Sequence, residues 1–293
     1  GMFWIMRIEA AALTDVGKVR TNNEDYIKFL FVDKDKKLIN KGNIFIVSDG
    51  MGGSEAGEIA SRTAVDHAIE VYYSLDSTKT VAKNLEYAIL SANRKVYDIA
   101  TENPEFKGMG CTLTAVVVAG RYAVFANIGD SRAYLIRDDM ITQITQDHSW
   151  VAEQVRNGII NPENAENHPY KNVITRSLGV NEIVEVDMFY KKLVKNDIII
   201  LCSDGLHTLV EDETIREITT TSNAKLACRR LIDIANKKGG RDNISVVVLK
   251  MGKLSSVSYP DDTVRIPPAP EINNKNGSVL QVFNKAIQKR WGR

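Results

Sequence analysis

Hydrophobic periodicity restricts this chain to a layered arrangement of sheets and helices. Met6–Leu13, Asp25–Val32 and Asn43–Ser48 are short runs rich in Ile, Val and Phe, bounded by Gly, Asn, Asp and Lys clusters, which is strand character. From Ser54 the period changes. Ala64, Ala68, Val71, Tyr72 and Leu75, then Val81, Leu85, Ile89, Ala92, Val96 and Ile99, recur at helical spacing and predict two long antiparallel helices. Thr112–Ala119, Arg121–Ala126, Ser131–Arg137 and Ile141–Ile144 return to strands, with Ala119-Gly120-Arg121 and Asp138-Asp139 as turns, and read as a meander. Further strands are expected at Val184–Tyr190, Asp197–Cys202 and Ile244–Lys250, with helices at Asp212–Thr219 and Ala224–Lys237 between the last two. Strands on both sides of helix pairs predict two packed sheets with helices outside.

The polar stretch from His148 to Tyr170, interrupted by Gly158, Pro162 and Pro169, reads as an excursion that leaves the core. After Met251 the composition shifts to Ser, Pro, Asp and Asn. A boundary near residue 252 therefore separates a domain over residues 1–252 from a Pro-containing linker and tail over 253–293. Val279, Leu280, Phe283, Ala286, Ile287 and Trp291 recur at helical spacing, so residues 278–291 read either as a frayed or domain-packed terminus or as a short basic amphipathic helix that docks a partner, outside the chemistry in both cases.

Charge excludes some partners. With 38 Lys and Arg against 37 Asp and Glu, the chain carries no electrostatic footprint for nucleic acid or an anionic membrane. Its longest apolar runs, such as Ile198–Cys202, are far shorter than the roughly 20 residues that cross a bilayer. The amino terminus has no basic run ahead of its apolar patch and does not read as a secretory signal. Cys111, Cys202 and Cys228 are odd in number and set among small or apolar neighbours, which points to reduced core thiols and a cytoplasmic location.

The chemistry lies in acidic residues at strand ends. Glu24 and Asp25 follow Arg20 in GKVRTNNEDY. Asp49-Gly50 ends the run NIFIV, Asp204-Gly205 ends DIIILC, and Asp242-Asn243 opens ISVVVL. Taken singly, Asp-Gly is a turn signal and Asn-Glu-Asp a solvated loop. Jointly they differ, because two Asp-Gly pairs follow buried-looking strands rather than joining hairpins. A Gly after such a carboxylate is expected to let the backbone turn while the side chain faces a cleft. Carboxylates converging there would repel unless cations sat between them, and hard oxygen donors favour Mg²⁺ or Mn²⁺.

The stretches TDVGKVRTNNEDY, FIVSDGMGGSEAGEIAS, GMGCTLTAVVV, ANIGDSRAYLI, ITQDHSWV, NVITRSLG, LCSDGLHTLV and GGRDNISVVVL resemble, in unbroken order over about residues 7 to 250, the successive motifs of the metal-dependent protein serine/threonine phosphatases, the type 2C family, and its bacterial branch in particular. The resemblance implies an α+β fold, a four-layer α-β-β-α sandwich of two central antiparallel sheets flanked by helix pairs. It implies a hydrolase acting on phosphoserine and phosphothreonine through a hydroxide bridging two Mn²⁺ or Mg²⁺ ions. Asp49 would bridge the ions, with the Gly50 carbonyl on one of them. Asp204 and Asp242 would hold the first ion, and Glu24 and Asp25 would act on the second directly or through waters. Arg20 would clamp the phosphate, and Asp130 would join Asp204 around a third ion. Residues 148–170 would be the flap beside the site.

One position departs from the animal members, which carry a histidine where this chain has Met51, and a thioether donates no proton. His67 and His207 read as structural residues. The partners implied are phosphorylated proteins, substrates of a serine/threonine kinase, met by a monomer. Narrower readings are a phosphatase of one regulatory partner and a silent phosphoprotein-binding module. The second conflicts with the presence of Arg20, Glu24, Asp25, Asp49, Asp204 and Asp242.

Overall fold

A computed structural model describes residues 1–76, 78–259 and 278–284. The elements in chain order are β1 (Met2–Asp15), β2 (Asp25–Leu30), β3 (Asn43–Met51), α1 (Ser54–Ser74), α2 (Val81–Glu102), β4 (Gly110–Cys111), β5 (Leu113–Ala119), β6 (Tyr122–Ile128), β7 (Arg132–Arg137) and β8 (Met140–Gln143). There follow α3 (Trp150–Arg156), α4 (Pro162–Ala165), β9 (Asp187–Lys192), β10 (Ile198–Cys202), α5 (Asp204–His207), α6 (Asp212–Thr221), α7 (Ala224–Lys237), β11 (Ile244–Ser258) and β12 (Ser278–Asn284).

The strands form two antiparallel sheets, one in the order β12-β1-β11-β10-β7-β8 and the other in the order β2-β3-β5-β6-β9, with β4 pairing the end of β3. Three apolar seams define four layers. Ile44, Ile46, Ala115 and Val117 pack on α1 and α2 through Ala60, Ala64, Leu85 and Ile89. Phe29, Phe45, Phe125, Ile199, Leu201 and Val247 fill the space between the sheets. Ile200, Val246 and Val248 meet α6 and α7 through Ile215, Ile218, Leu231 and Ile232. This is the α-β-β-α sandwich.

Local chemistry accounts for the helix ends. Thr80 and Asn223 cap α2 and α7 by accepting from the backbone N–H groups of Lys83 and Leu226. Along α1 the buried residues Ala56, Ala60, Ala64 and Ala68 repeat every fourth position, so the helix can lie close against its sheet.

Three expectations change. The four strands after Thr112 are not one meander. β5 and β6 form a hairpin in one sheet, whereas β7 and β8 form a hairpin in the other, and the chain crosses between sheets at Gly129-Asp130-Ser131. The alternation of these runs fits either sheet, so periodicity alone does not separate the hairpins. β11 does not stop near 252 but continues to Ser258, pairing with Met2–Met6. In the tail, Ser278–Asn284 is a strand on the outer edge of β1, not the first half of a helix. Val279 and Val282 suit a strand, and β1 offers backbone groups along that edge. Residues 285–291 of the expected helix lie outside the described residues.

Candidate metal centre

Asp49 lies near the end of β3 in one sheet. Asp204 follows β10 and Asp242 precedes β11 in the other. One carboxylate oxygen from each lies within 4.8 Å of the others. Pairing of β10 with β11, extended by Ser203 N–H donating to the Ser245 carbonyl at 3.1 Å, brings the second and third together. Asp49 is fixed from its own sheet. Its N–H donates to Thr112 Oγ1 at 3.0 Å, and its carbonyl accepts from Thr112 N–H at 2.9 Å.

The glycine after Asp49 has a different purpose from the one expected, whereas at Gly205 the chain does turn, from β10 into α5. β3 runs straight through Asp49-Gly50 to Met51, so no turn occurs there. A Cβ on Gly50 would collide with the Gly57 carbonyl of α1, and one on Gly205 would collide with the Asn243 carbonyl. Both glycines permit close backbone approach.

The loop from Val16 to Glu24 closes one wall. Asn243 is its hub and was not singled out in the sequence. Its Nδ2 donates to the carbonyls of Val16 and Asn22 at 2.9 Å each, and its Oδ1 accepts from Glu24 N–H at 2.9 Å. Its one sequence signal is its place beside Asp242 at a strand start. The loop brings Arg20 to the rim, where its Nε is 3.5 Å from Asp242 Oδ1 with the side chain 57% exposed. The Glu24 carboxylate lies against Gly57, where a Cβ would come within 2.7 Å of its Cδ.

Asp25 is 1% exposed, and its Oδ2 accepts from Ser203 Oγ at 2.8 Å and Ser245 Oγ at 2.7 Å. Asp130, in the crossing between sheets, lies close enough to Asp204 to feel its charge. Its turn is tied to Asp49 by a 2.7 Å bond between Ser131 Oγ and Thr112 Oγ1.

Burial followed by mutual repulsion governs these acids. Asp49 is pushed well above the usual carboxylate range by burial and then by Asp25 and Asp204. Asp204 is raised by burial against the pull of Asp49, and Asp25 is raised to about 7 by burial despite its two hydroxyl donors. Asp130 rises through burial and Asp204, and Glu24 through burial ahead of Asp242 and Glu58. Asp130 Oδ1 and Asp204 Oδ1 are buried and make no hydrogen bond among the described residues. Unspent anionic oxygens facing one another fit hard divalent cations of the Mn²⁺ or Mg²⁺ type.

The histidines are engaged elsewhere. His67 bonds Ser91 across α1 and α2 at 2.9 Å. His207 meets the Asp130 carbonyl at 2.7 Å, so its Nε2 carries the proton, and burial lowers it to about 4. His148 accepts from Gly129 N–H on Nδ1 at 2.9 Å, which leaves its Nε2–H to donate to Asp187 at 2.7 Å. The segment after His148 carries its own cluster, with the Trp150, His168 and Tyr170 rings 5.0 to 5.6 Å apart. It returns through a bridge of Ser149 with Ile174.

Comparison with known proteins agrees with this geometry. The chain matches the family model described as protein phosphatase 2C over residues 18–239. It is 38% identical over 244 residues to the serine/threonine phosphatase stp of Listeria innocua, covering 81% of this chain and 93% of the relative. The crystal structure of the Mycobacterium tuberculosis serine/threonine phosphatase PstP/Ppp superposes with a TM-score of 0.75 at 35% identity, covering 84% of this chain and 100% of that one. A structure of the PstP catalytic domain in complex with two manganese ions matches with a TM-score of 0.73 at 34% identity, over 85% of this chain and 100% of that one.

Proposed function

The chain belongs to the protein phosphatase 2C family, and from that premise we propose that its carboxylate cleft is where phosphoserine and phosphothreonine of protein substrates are hydrolysed. It is a metal-dependent protein serine/threonine phosphatase, and Mn²⁺ or Mg²⁺ is its cofactor. The observation that carries the assignment of the site is the meeting of three carboxylate oxygens within 4.8 Å across two sheets, with Arg20 at their rim.

In this reading Asp204 and Asp242 would hold one ion, Asp49 would serve both, and the Gly50 carbonyl and Glu24 would serve the second, with Asp130 and Asp204 available to a third. Bound divalent cations supply Lewis acidity and a water acidified towards neutrality as nucleophile. Arg20 presents a planar fork of donors to the non-bridging phosphate oxygens, and Asp242 orients it. Asp25, whose Oδ2 is held by two hydroxyls, would act with Glu24 at the second ion, directly or through waters. No thiol is suited to attack, since all three cysteines are buried and burial pushes Cys111 up to about 12.

Met51 offers no proton to the leaving oxygen. His67, His148 and His207 are tied to Ser91, Asp187 and the Asp130 carbonyl, and His168 packs in the aromatic cluster. The flap over residues 148–170 is a specificity element, and the substrates are products of a serine/threonine kinase. No helix among the described residues is long and apolar enough to cross a membrane. A cytoplasmic location is inferred from the three free, buried cysteines. The test is hydrolysis of a phosphothreonine peptide, which excess chelator should abolish and added Mn²⁺ restore. Full activity in excess chelator would overturn the reading.

A further inference from the structure

Behind the three carboxylates lies a polar network that crosses from one sheet to the other. Its acceptor is Asp25 on β2. Its donors Ser203 and Ser245 flank the β10–β11 pair of the opposite sheet, and all three residues are almost wholly buried. The protons in it have one consistent direction. Ser245 Oγ gives its single proton to Asp25 Oδ2, so the 2.8 Å bond between Ser245 Oγ and Thr14 Oγ1 must be donated by Thr14. Asn23 Nδ2 donates in turn to Thr14 Oγ1 at 2.9 Å. Ser203 Oγ likewise spends its proton on Asp25 and accepts from Ser245 N–H at 3.0 Å. The chain Asn23 to Thr14 to Ser245, together with Ser203, therefore ends on one carboxylate oxygen, which receives the protons of both serine hydroxyls.

The location gives this network a consequence. Asp204 is covalently next to Ser203, and Asp242 lies three residues before Ser245, whereas Asp49 pairs with Asp25 itself across β2 and β3. The bolt between Asp25 and the two serines thus joins the backbone that carries Asp49 to the backbone that carries Asp204 and Asp242. Asn243 Oδ1, accepting from Glu24 N–H, is a second tie at this end, whereas the seam beyond it is filled by apolar side chains such as Phe45, Phe125 and Leu201. Such packing resists separation but tolerates small slides far better than directional hydrogen bonds do.

We propose that Ser203 and Ser245 are positioning residues for the metal site, which act through Asp25 to hold the carboxylates of the two sheets at ion-binding separation. The proposal rests on the reading of the cleft as the metal centre. Groups that orient first ligands typically alter metal affinity by about ten- to a hundredfold when removed.

The test is Mn²⁺ binding to the metal-stripped full chain, followed by calorimetry. Wild type is expected to bind Mn²⁺; if it does not, the reading of the cleft fails, whatever the serines do. With binding established, Ser203→Ala/Ser245→Ala is expected to weaken Mn²⁺ by about ten- to a hundredfold, and the concentration of Mn²⁺ giving half-maximal activity should rise in step. The same two changes made on an Asp25→Ala background should cause no further loss, because the hydroxyls then have no acceptor on β2. Unchanged affinity in the folded double variant, or losses that simply add on the Asp25→Ala background, would overturn the proposal. Should the double variant not fold, Ser203→Ala and Thr14→Val each remove one link and keep the rest. Each is expected to weaken Mn²⁺ severalfold, and unchanged affinity in both overturns it equally.

Discussion

Gly50 of β3 lies against the backbone carbonyl of Gly57 in α1, leaving no room for a side chain between strand and helix. The strand that carries Asp49 is thereby clamped between Thr112 on one side and the first turns of α1 on the other. Gly50→Ala must push α1 away or bend β3. Either movement displaces Asp49 and the Glu24 carboxylate that rests on Gly57. Expected are loss of Mn²⁺ binding and a fall in turnover of at least tenfold, with a circular dichroism spectrum close to wild type. Normal Mn²⁺ affinity in Gly50→Ala would show that the contact yields without cost to the site.

Asp49→Asn keeps side-chain volume and removes the charge at the point where three carboxylates meet. Turnover on an aryl phosphate is expected to fall by orders of magnitude. The thermal gain conferred by Mn²⁺ on wild type should shrink too. A ligand at a hundred times its dissociation constant contributes about 2.7 kcal/mol, and a variant that cannot hold the ion forgoes it. Calorimetric scans with and without Mn²⁺ measure the difference.

Arg20→Ala leaves the carboxylates in place but removes the charge-assisted bonds to phosphate. Such bonds contribute about 1.5–3 kcal/mol, so kcat/KM is expected to drop by about ten- to a hundredfold, mainly through KM. Mn²⁺ affinity should change little, since Arg20 is largely exposed and its contact with Asp242 is a long 3.5 Å. If calorimetry shows the ion lost instead, Arg20 is a structural partner of Asp242.

His148 supplies a pH dependence whose sign follows from its burial. Burial holds its pKa below the usual 6.5 although Asp187 pulls the other way. The unfolded chain therefore binds the proton first as pH falls, and the stability that His148 contributes is full above about 6.5 and declines below it. His148→Gln can still accept from Gly129 and donate to Asp187 but does not titrate. The difference in unfolding free energy between wild type and this variant, measured with Mn²⁺ present, should move against wild type from pH 7 to pH 5. A flat difference would mean that the imidazole charges in the folded state without penalty.

β11 continues past Met251 to Ser258. Cutting after Tyr259 preserves the pairing of Leu254–Ser258 with Met2–Met6, whereas cutting after Met251 removes it together with the packing of Leu254 on the inter-sheet core. The shorter truncation should melt several degrees lower than the longer one, at about 2–4 °C per kcal/mol for a chain of this size. Both should retain the carboxylates and Arg20, all of which precede Ile244. Equal melting temperatures would show that the end of β11 contributes nothing to stability.

Much of this protein was legible in local sequence. Periods of 2 and 3.6 marked the strands and helices, because each element buries one face, and α7 falls where its pattern begins and ends. The acids Asp49, Asp204 and Asp242 stood out because each lies at an end of an apolar run, and together they point to a site. Tertiary structure decided what local pattern leaves free. The hairpin β7–β8 belongs to a different sheet from β5–β6, a choice set by pairing with β10 far along the chain. Asp25 looks like its neighbour Glu24 in sequence, yet only the folded chain encloses it beneath Ser203 and Ser245. Gly50 is needed because a distant carbonyl presses on it, not because the backbone turns there, and the Asn243 carbonyl presses in the same way on Gly205. Side-chain period and residue type are properties of a short segment, whereas burial and close approach depend on what the remainder of the chain brings to the same place.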